Sequence, residues 1–185
     1  MSKKVLVPIA DGSEEIEAVC IIDTLRRAEA DVTVASVGKL EVTASRRVQI
    51  VADALITDCV NETYDCIVLP GGMPGAEHLR DSEPLIAKLK EQKASGRLYA
   101  AICASPAIAL QHHGLLDGVK ATCYPSFRDR LDPAHASDDR VVVDGNCITS
   151  QGPATAIDFA LKLIEVLFGA DKAQEIGKAM LVMSS

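Results

Sequence analysis

Leu98-Tyr99-Ala100-Ala101-Ile102-Cys103-Ala104-Ser105-Pro106 is the stretch on which the fold turns. A short uncharged run bounded by turn signals reads as a strand buried on both faces. Ser105 and Pro106 then open a helix to about His113, with Ser as N-cap and Pro at the first helical position. The same alternation repeats on either side. Upstream, residues 65–70 read as a buried strand running into Gly71-Gly72. Helical stretches follow at 76–80 and 84–95, the second ended by Gly96. At the start of the chain, residues 5–9 form a first strand and Asp11-Gly12-Ser13 a turn able to cap a helix over 14–28. Ala18, Ile21, Ile22, Leu25 and Ala28 share one face of that helix. Residues 32–37 are a second strand; 40–44 and 48–51 look like a hairpin at the sheet edge, turned by Ser45-Arg46-Arg47. Downstream, residues 120–124, 141–143 and 147–150 read as strands, with a hairpin-type turn at Asp144-Gly145-Asn146. Helices over 153–168 and 171–180, broken at Gly169, close the chain. The expectation is one α/β domain over residues 1–185, doubly wound, with a mostly parallel sheet covered by helices on both faces.

Composition narrows the function. The 185 residues include only 3% aromatics and no Trp, and the net charge is −7. An aliphatic, acidic chain lacks both the stacking platforms and the basic surface that nucleic acid requires. Six cysteines follow no C-x-x-C or zinc-ligand spacing, so no metal is expected. The apolar run after Lys3-Lys4 is too short for a signal-peptide core and no segment is long enough for a membrane span, so the chain is expected in the cytosol with free thiols.

If the strands are parallel, three loops meet at one sheet edge: DGSEEIE, PGGMPG and AICASP. Cys103, wedged between a buried strand and a helix start, occupies the sharp turn of a nucleophile elbow. Unsatisfied N–H groups there favour thiolate, predicting a thiol acidified from ~8.5 to below ~7.5. Glu14 and Glu17 lean toward the apolar face of their helix, where a carboxylate is costly unless paired or protonated. Either is a candidate general acid/base with a raised pKa, and the helical wheel does not choose between them. The bare backbone of Gly71-Gly72 can aim N–H groups at an oxyanion. Neither a Walker loop nor a G-x-G-x-x-G follows a strand, so nucleotide binding has little support. His78, His112, His113 and His135 all lie away from the nucleophile in sequence.

The four motifs AAICASP, DGSEEIEA, VLPGGMPGA and TSQGPATAIDFAL, in this order, resemble the ThiJ/PfpI (DJ-1) superfamily over essentially the whole chain, most closely the branch of the human parkinsonism-associated protein and bacterial YajL. The resemblance implies a flavodoxin-like sandwich, a homodimer and no cofactor. It makes Cys103 the nucleophile and oxidation-sensitive thiol, and Glu17 the acid hydrogen-bonded to its sulfur. The amides of Gly72 and Ala104 form the oxyanion pocket, and Pro153 lines it. Arg46 reaches the site across the dimer interface, and Arg27 is another basic residue of that neighbourhood. Two departures stand out. Cys123-Tyr124-Pro125 replaces a segment with histidine before the proline, so Tyr124 can donate a hydrogen bond to a bound carbonyl but not shuttle protons near neutral pH. Ala104 stands where protease-like relatives carry histidine, which argues against peptidase activity. The implied activity is a glutathione-independent glyoxalase or deglycase acting on 2-oxoaldehydes such as methylglyoxal. The alternative is a redox sensor or stress chaperone working through oxidation of Cys103 to sulfinate. A thiazole-phosphate role finds no phosphate loop.

Overall fold

The computed structural model describes residues 2–182. Its strands and helices run β1 (Lys4–Ile9), α1 (Glu15–Arg27), β2 (Asp31–Ser36), β3 (Glu41–Thr43), β4 (Gln49–Val51), β5 (Ala54–Leu55), β6 (Cys66–Leu69), α2 (Gly75–Arg80), α3 (Glu83–Ala94), β7 (Leu98–Ile102), β8 (Val141–Asp144), β9 (Cys147–Ser150), α4 (Ala156–Phe168) and α5 (Ala170–Ala179). Seven strands form one sheet in the order β5-β2-β1-β6-β7-β9-β8. All neighbours are parallel except β8 and β9, an antiparallel hairpin turned at Gly145-Asn146. The fold is the flavodoxin-like α/β sandwich.

Strand chemistry explains the two layers. Side chains alternate across a strand, so Val5, Val7 and Ile9 face one side and Leu6 the other, all fully buried. Val5, Val7, Ile9, Val68 and Ala100 pack with Ile21 and Leu25 of α1 and Phe159 and Leu163 of α4. Leu6, Ile67, Leu69 and Tyr99 pack with Leu79 of α2 and Leu85 and Leu89 of α3. Each large aliphatic side chain so buried contributes roughly 1.5–3 kcal/mol, which is how a chain poor in aromatics builds its core.

The structure corrects the sequence reading in three places. The hairpin of β3 and β4 does not extend the main sheet but forms a separate two-stranded flap. The edge is taken instead by β5, two residues paired to β2. Residues 120–124 do not form a strand: only a bridge between Ala121 and Ala136 remains, because the Thr122 amide donates to the Thr149 hydroxyl (2.9 Å) and not to a neighbouring backbone carbonyl. After Cys103 the chain enters a π-helical turn (Pro106–Leu110) and then a 3-10 turn (Gln111–His113), not a regular α-helix. Ser105 does not cap it; its hydroxyl donates to the Pro70 carbonyl.

β1, β6 and β7 are adjacent, and the chain winds to one side from β1 and to the other from β6. That reversal opens a crevice at the carboxyl ends of these strands. The DGSEEIE, PGGMPG and AICASP segments do converge there.

Candidate active site

Cys103 sits at the tip of β7 with φ of 64°, in the left-handed region that a non-glycine residue enters at a cost of order 1 kcal/mol. Its backbone is held from both sides: its amide donates to the Ser150 carbonyl (3.0 Å), and its carbonyl accepts from the Tyr124 amide (2.7 Å). The amides of Gly72 and Ala104 point at its sulfur. Glu17, fully buried on α1, accepts a hydrogen bond from the Gly71 amide at Oε2 (2.8 Å). Its other oxygen, Oε1, has no conventional partner, and the Cys103 thiol lies beside the carboxyl. Glu14 is the residue that caps α1, its carboxylate accepting from the Glu17 amide (2.8 Å). Of the two glutamates the helical wheel left open, Glu14 serves the helix and Glu17 faces the sulfur. The capping role expected of Asp11-Gly12-Ser13 passes to Glu14 with it.

The loops meet closely because glycine lets them. A Cβ on Gly71 would lie 2.6 Å from the Cys103 Cβ and 2.9 Å from both the Ala104 nitrogen and the Ile102 oxygen. Two of these three neighbours are backbone and cannot step aside. Gly71→Ala is therefore expected to cost about 3 kcal/mol by overpacking, read as a lowered urea midpoint at unchanged m-value.

Burial pushes the Glu17 carboxyl up to about 7, against the opposing pull of the Gly71 amide and the Cys103 side chain. Burial also pushes the Cys103 thiol up, reinforced by the Glu17 charge and opposed by the Gly72 and Ala104 amides. The two groups titrate as a pair, each resisting ionisation while the other is charged. A thiol acidified by a helix start is thus not what the structure contains. The five π-helical residues begin at Pro106 and are too few and too irregular to build a macrodipole, and desolvation dominates.

Cys103, only 8% exposed, opens onto a cavity of 370 Å³ walled by Arg46, Tyr124, Phe127 and Pro153. A larger hollow of 530 Å³, lined by residues including Asp11, Lys39 and His78, contains no cysteine. Among the described residues no cluster of three His, Cys, Asp or Glu side chains could hold a metal.

A profile of the DJ-1/PfpI family matches residues 3–166. The chain belongs to that family. It is 52% identical over 97% of its length to Protein DJ-1 homolog B of Arabidopsis thaliana, and spans 41% of that longer protein. The structure of oxidized Toxoplasma gondii DJ-1 superposes with a TM-score of 0.96 at 57% identity, covering 97% of this chain and 98% of that one. A relative from Caenorhabditis elegans named glutathione-independent glyoxalase DJR-1.2 is 36% identical, over 97% of this chain and 95% of that protein. The chain spans less than half the length of the Arabidopsis relatives it matches.

Within this DJ-1/PfpI chain the structure brings together Cys103, Glu17, Gly72, Ala104, Tyr124, Pro153 and Arg46. Arg46 lines its own chain's cavity, so it need not arrive across an interface. Arg27 is not brought in within one chain. It ends α1, about 18 Å along the helix axis from Glu15, and pairs with Asp23 (2.7 Å). Tyr124, 43% exposed, flanks the opening. Four cavity residues, Ser45, Met73, Ser126 and Phe127, were missed by the sequence reading: the last two follow a segment read as a strand, and the first two sit in loops from which only their neighbours were picked. Glu15, which the sequence does not single out, is almost fully buried.

Proposed function

We propose that this chain is a cofactor-independent glyoxalase or deglycase whose nucleophile is Cys103. The observation that carries the reading is a buried carboxyl, resistant to ionisation, placed against a sulfur that two backbone amides already address. With the proton held on Glu17, the Coulombic push on the sulfur disappears and the Gly72 and Ala104 amides stabilise thiolate. The thiolate adds to the aldehyde carbon of a 2-oxoaldehyde and the carbonyl oxygen takes a proton, giving a hemithioacetal. Glu17, now ionised, removes the hydrogen on that carbon to form an enediol and returns the proton to the adjacent carbon. The product is a thioester of a 2-hydroxy acid. Water hydrolyses it to the free acid and regenerates the thiol; methylglyoxal gives lactate. The Gly72 and Ala104 amides hold the developing oxyanion, and Tyr124 donates to the second carbonyl. The named activity of the nematode relative supports this reaction class.

The assay is turnover of methylglyoxal to lactate without glutathione. A wild-type chain that produces no lactate would overturn the enzyme reading. A second reading, a redox sensor, is favoured by the two amides and the orphan Glu17 oxygen, which form a ready cradle for a sulfinate. Two equivalents of peroxide would take the thiolate through sulfenate to sulfinate, each releasing water or hydroxide. Its mark is a mass gain of two oxygens on Cys103 in a chain that turns over no aldehyde.

We place the protein in the cytosol, where its six free cysteines suit a reducing medium. Among the described residues no helix is long and apolar enough to cross a membrane. We also read it as a homodimer. Ile16 and Val19 of α1 and Val48 and Val51 of the flap are exposed by 54, 49, 48 and 69%, an unusual grouping for a free surface. Val51→Asp is expected to halve the mass seen by light scattering; an unchanged dimer would remove this face as the interface.

A further inference from the structure

The flap is tied to the α1 loop by a set of bonds that converge on one buried acid. Gly12 donates to the Thr43 carbonyl (2.9 Å), Ser45 to the Ser13 carbonyl (2.8 Å), and Thr43 to Asp11 Oδ1 (2.8 Å). Glu15, 7% exposed, then accepts from the Ser45 hydroxyl at Oε2 (2.8 Å) and from the Arg46 amide at Oε1 (2.7 Å). Burial opposes its charge, but its own amide, the Ser45 hydroxyl and the Arg46 amide outweigh this and hold the carboxyl below the usual range. The turn so clamped is not a relaxed one, since Arg47 has φ of 74°. The consequence falls on Arg46. Its guanidinium meets the Ser45 carbonyl (3.3 Å), enters no salt bridge among the described residues, and lines the Cys103 cavity. Glu14 also borders that cavity, but its carboxylate is engaged in capping α1.

We propose that Glu15 is a positioning residue that fixes Arg46 over the Cys103 cavity and so makes the site selective for anionic electrophiles, such as 2-oxoaldehydes carrying a carboxylate or phosphate. The inference rests on Cys103 being the reacting atom, as proposed above, and does not need the aldehyde chemistry. Its sign is diagnostic. Deleting a negative charge near the sulfur would, by electrostatics alone, make an anionic reagent react faster. Loss of positioning makes it react more slowly.

The test compares alkylation of Cys103 by iodoacetate and by neutral iodoacetamide, followed by intact mass. Arg46→Ala is expected to lower the iodoacetate-to-iodoacetamide rate ratio about fivefold, as loss of one exposed ionic contact of good geometry should. Glu15→Ala is expected to lower it similarly, with the iodoacetamide rate nearly unchanged. Glu15→Gln keeps an Oε1 acceptor for the Arg46 amide and should retain most of the ratio. Glu15→Asp keeps the charge but is one methylene short, and should lose it. If Glu15→Ala does not fold, the Gln and Asp pair decides. A ratio that is unchanged or raised in Glu15→Ala or Glu15→Asp overturns the proposal. A wild-type Cys103 that resists both reagents overturns this proposal and the reactive-thiol reading together.

Discussion

Cys103→Ala is expected to reduce lactate production from methylglyoxal to the rate without protein, a loss of at least about a thousandfold for removal of a covalent nucleophile. The fold should survive. The turn at Cys103 is held by its backbone bonds to Ser150 and Tyr124, which alanine keeps, and alanine bears the left-handed φ no worse than cysteine does. Deleting one small, almost fully buried sulfur costs about 1 kcal/mol. Loss of turnover therefore reports chemistry, which an unchanged circular dichroism spectrum would establish. The same variant isolates the thiol. Burial pushes Cys123 up to about 11 and Cys147 up to about 12, and Cys66 is pushed up as well. Cys20 is pushed up too, by burial and by the charges of Glu14, Asp23 and Glu17. The carboxylates near Cys66 and Cys147, Asp65 and Asp144, face solvent, so none of these thiols shares a proton with a buried carboxyl as Cys103 does with Glu17. Brief iodoacetamide treatment at neutral pH should add one adduct to the wild type and none to Cys103→Ala. Lactate production surviving in the variant would place the chemistry elsewhere.

What could be read from sequence follows from the range of the interactions involved. The alternation of apolar runs with 3.6-period segments is local, so the order of most strands and helices and the parallel sheet were legible, as were the segments carrying Glu17, Gly72 and Cys103. Electrostatics is not local. An acidified Cys103 was a reasonable inference from a strand running into a helix, but the decisive quantity is desolvation by both sheet layers, and no window of sequence contains it. Glu17 and Glu14 fall on the same side of a wheel; what separates them is that Glu14 turns back onto the Glu17 amide. The hairpin was legible as a hairpin, yet its detachment from the sheet depends on bonds from Asp11, Gly12, Ser13 and Glu15, about thirty residues away in the chain. Arg27 was named by motif alone; within one chain it ends α1 and pairs with Asp23, and its expected place beside the site is one that a second copy would supply.

Glu17→Gln is the sharper test, because it separates proton transfer from shape. Glutamine is isosteric and can accept the Gly71 amide bond, so the loops should close as before. It cannot hold and release a proton, and turnover should fall by about 10²- to 10⁴-fold, the usual worth of a positioned acid/base. The pH behaviour checks the cause. With a carboxyl raised from 4.5 to about 7 in the folded chain, the native state binds a proton that the unfolded chain has released. Stability is then fullest below 4.5 and falls as pH rises toward 7, by about 3 kcal/mol. Urea unfolding from pH 4.5 to 8 should show that decline in the wild type and a flatter profile in Glu17→Gln. The iodoacetamide rate at Cys103 should inflect near pH 7 in the wild type, where the pair acquires its charge, and lose that inflection in the variant. A variant that keeps both its turnover and the inflection would show that the sulfur ionises without help from Glu17, and the shared-proton account of the site would fail.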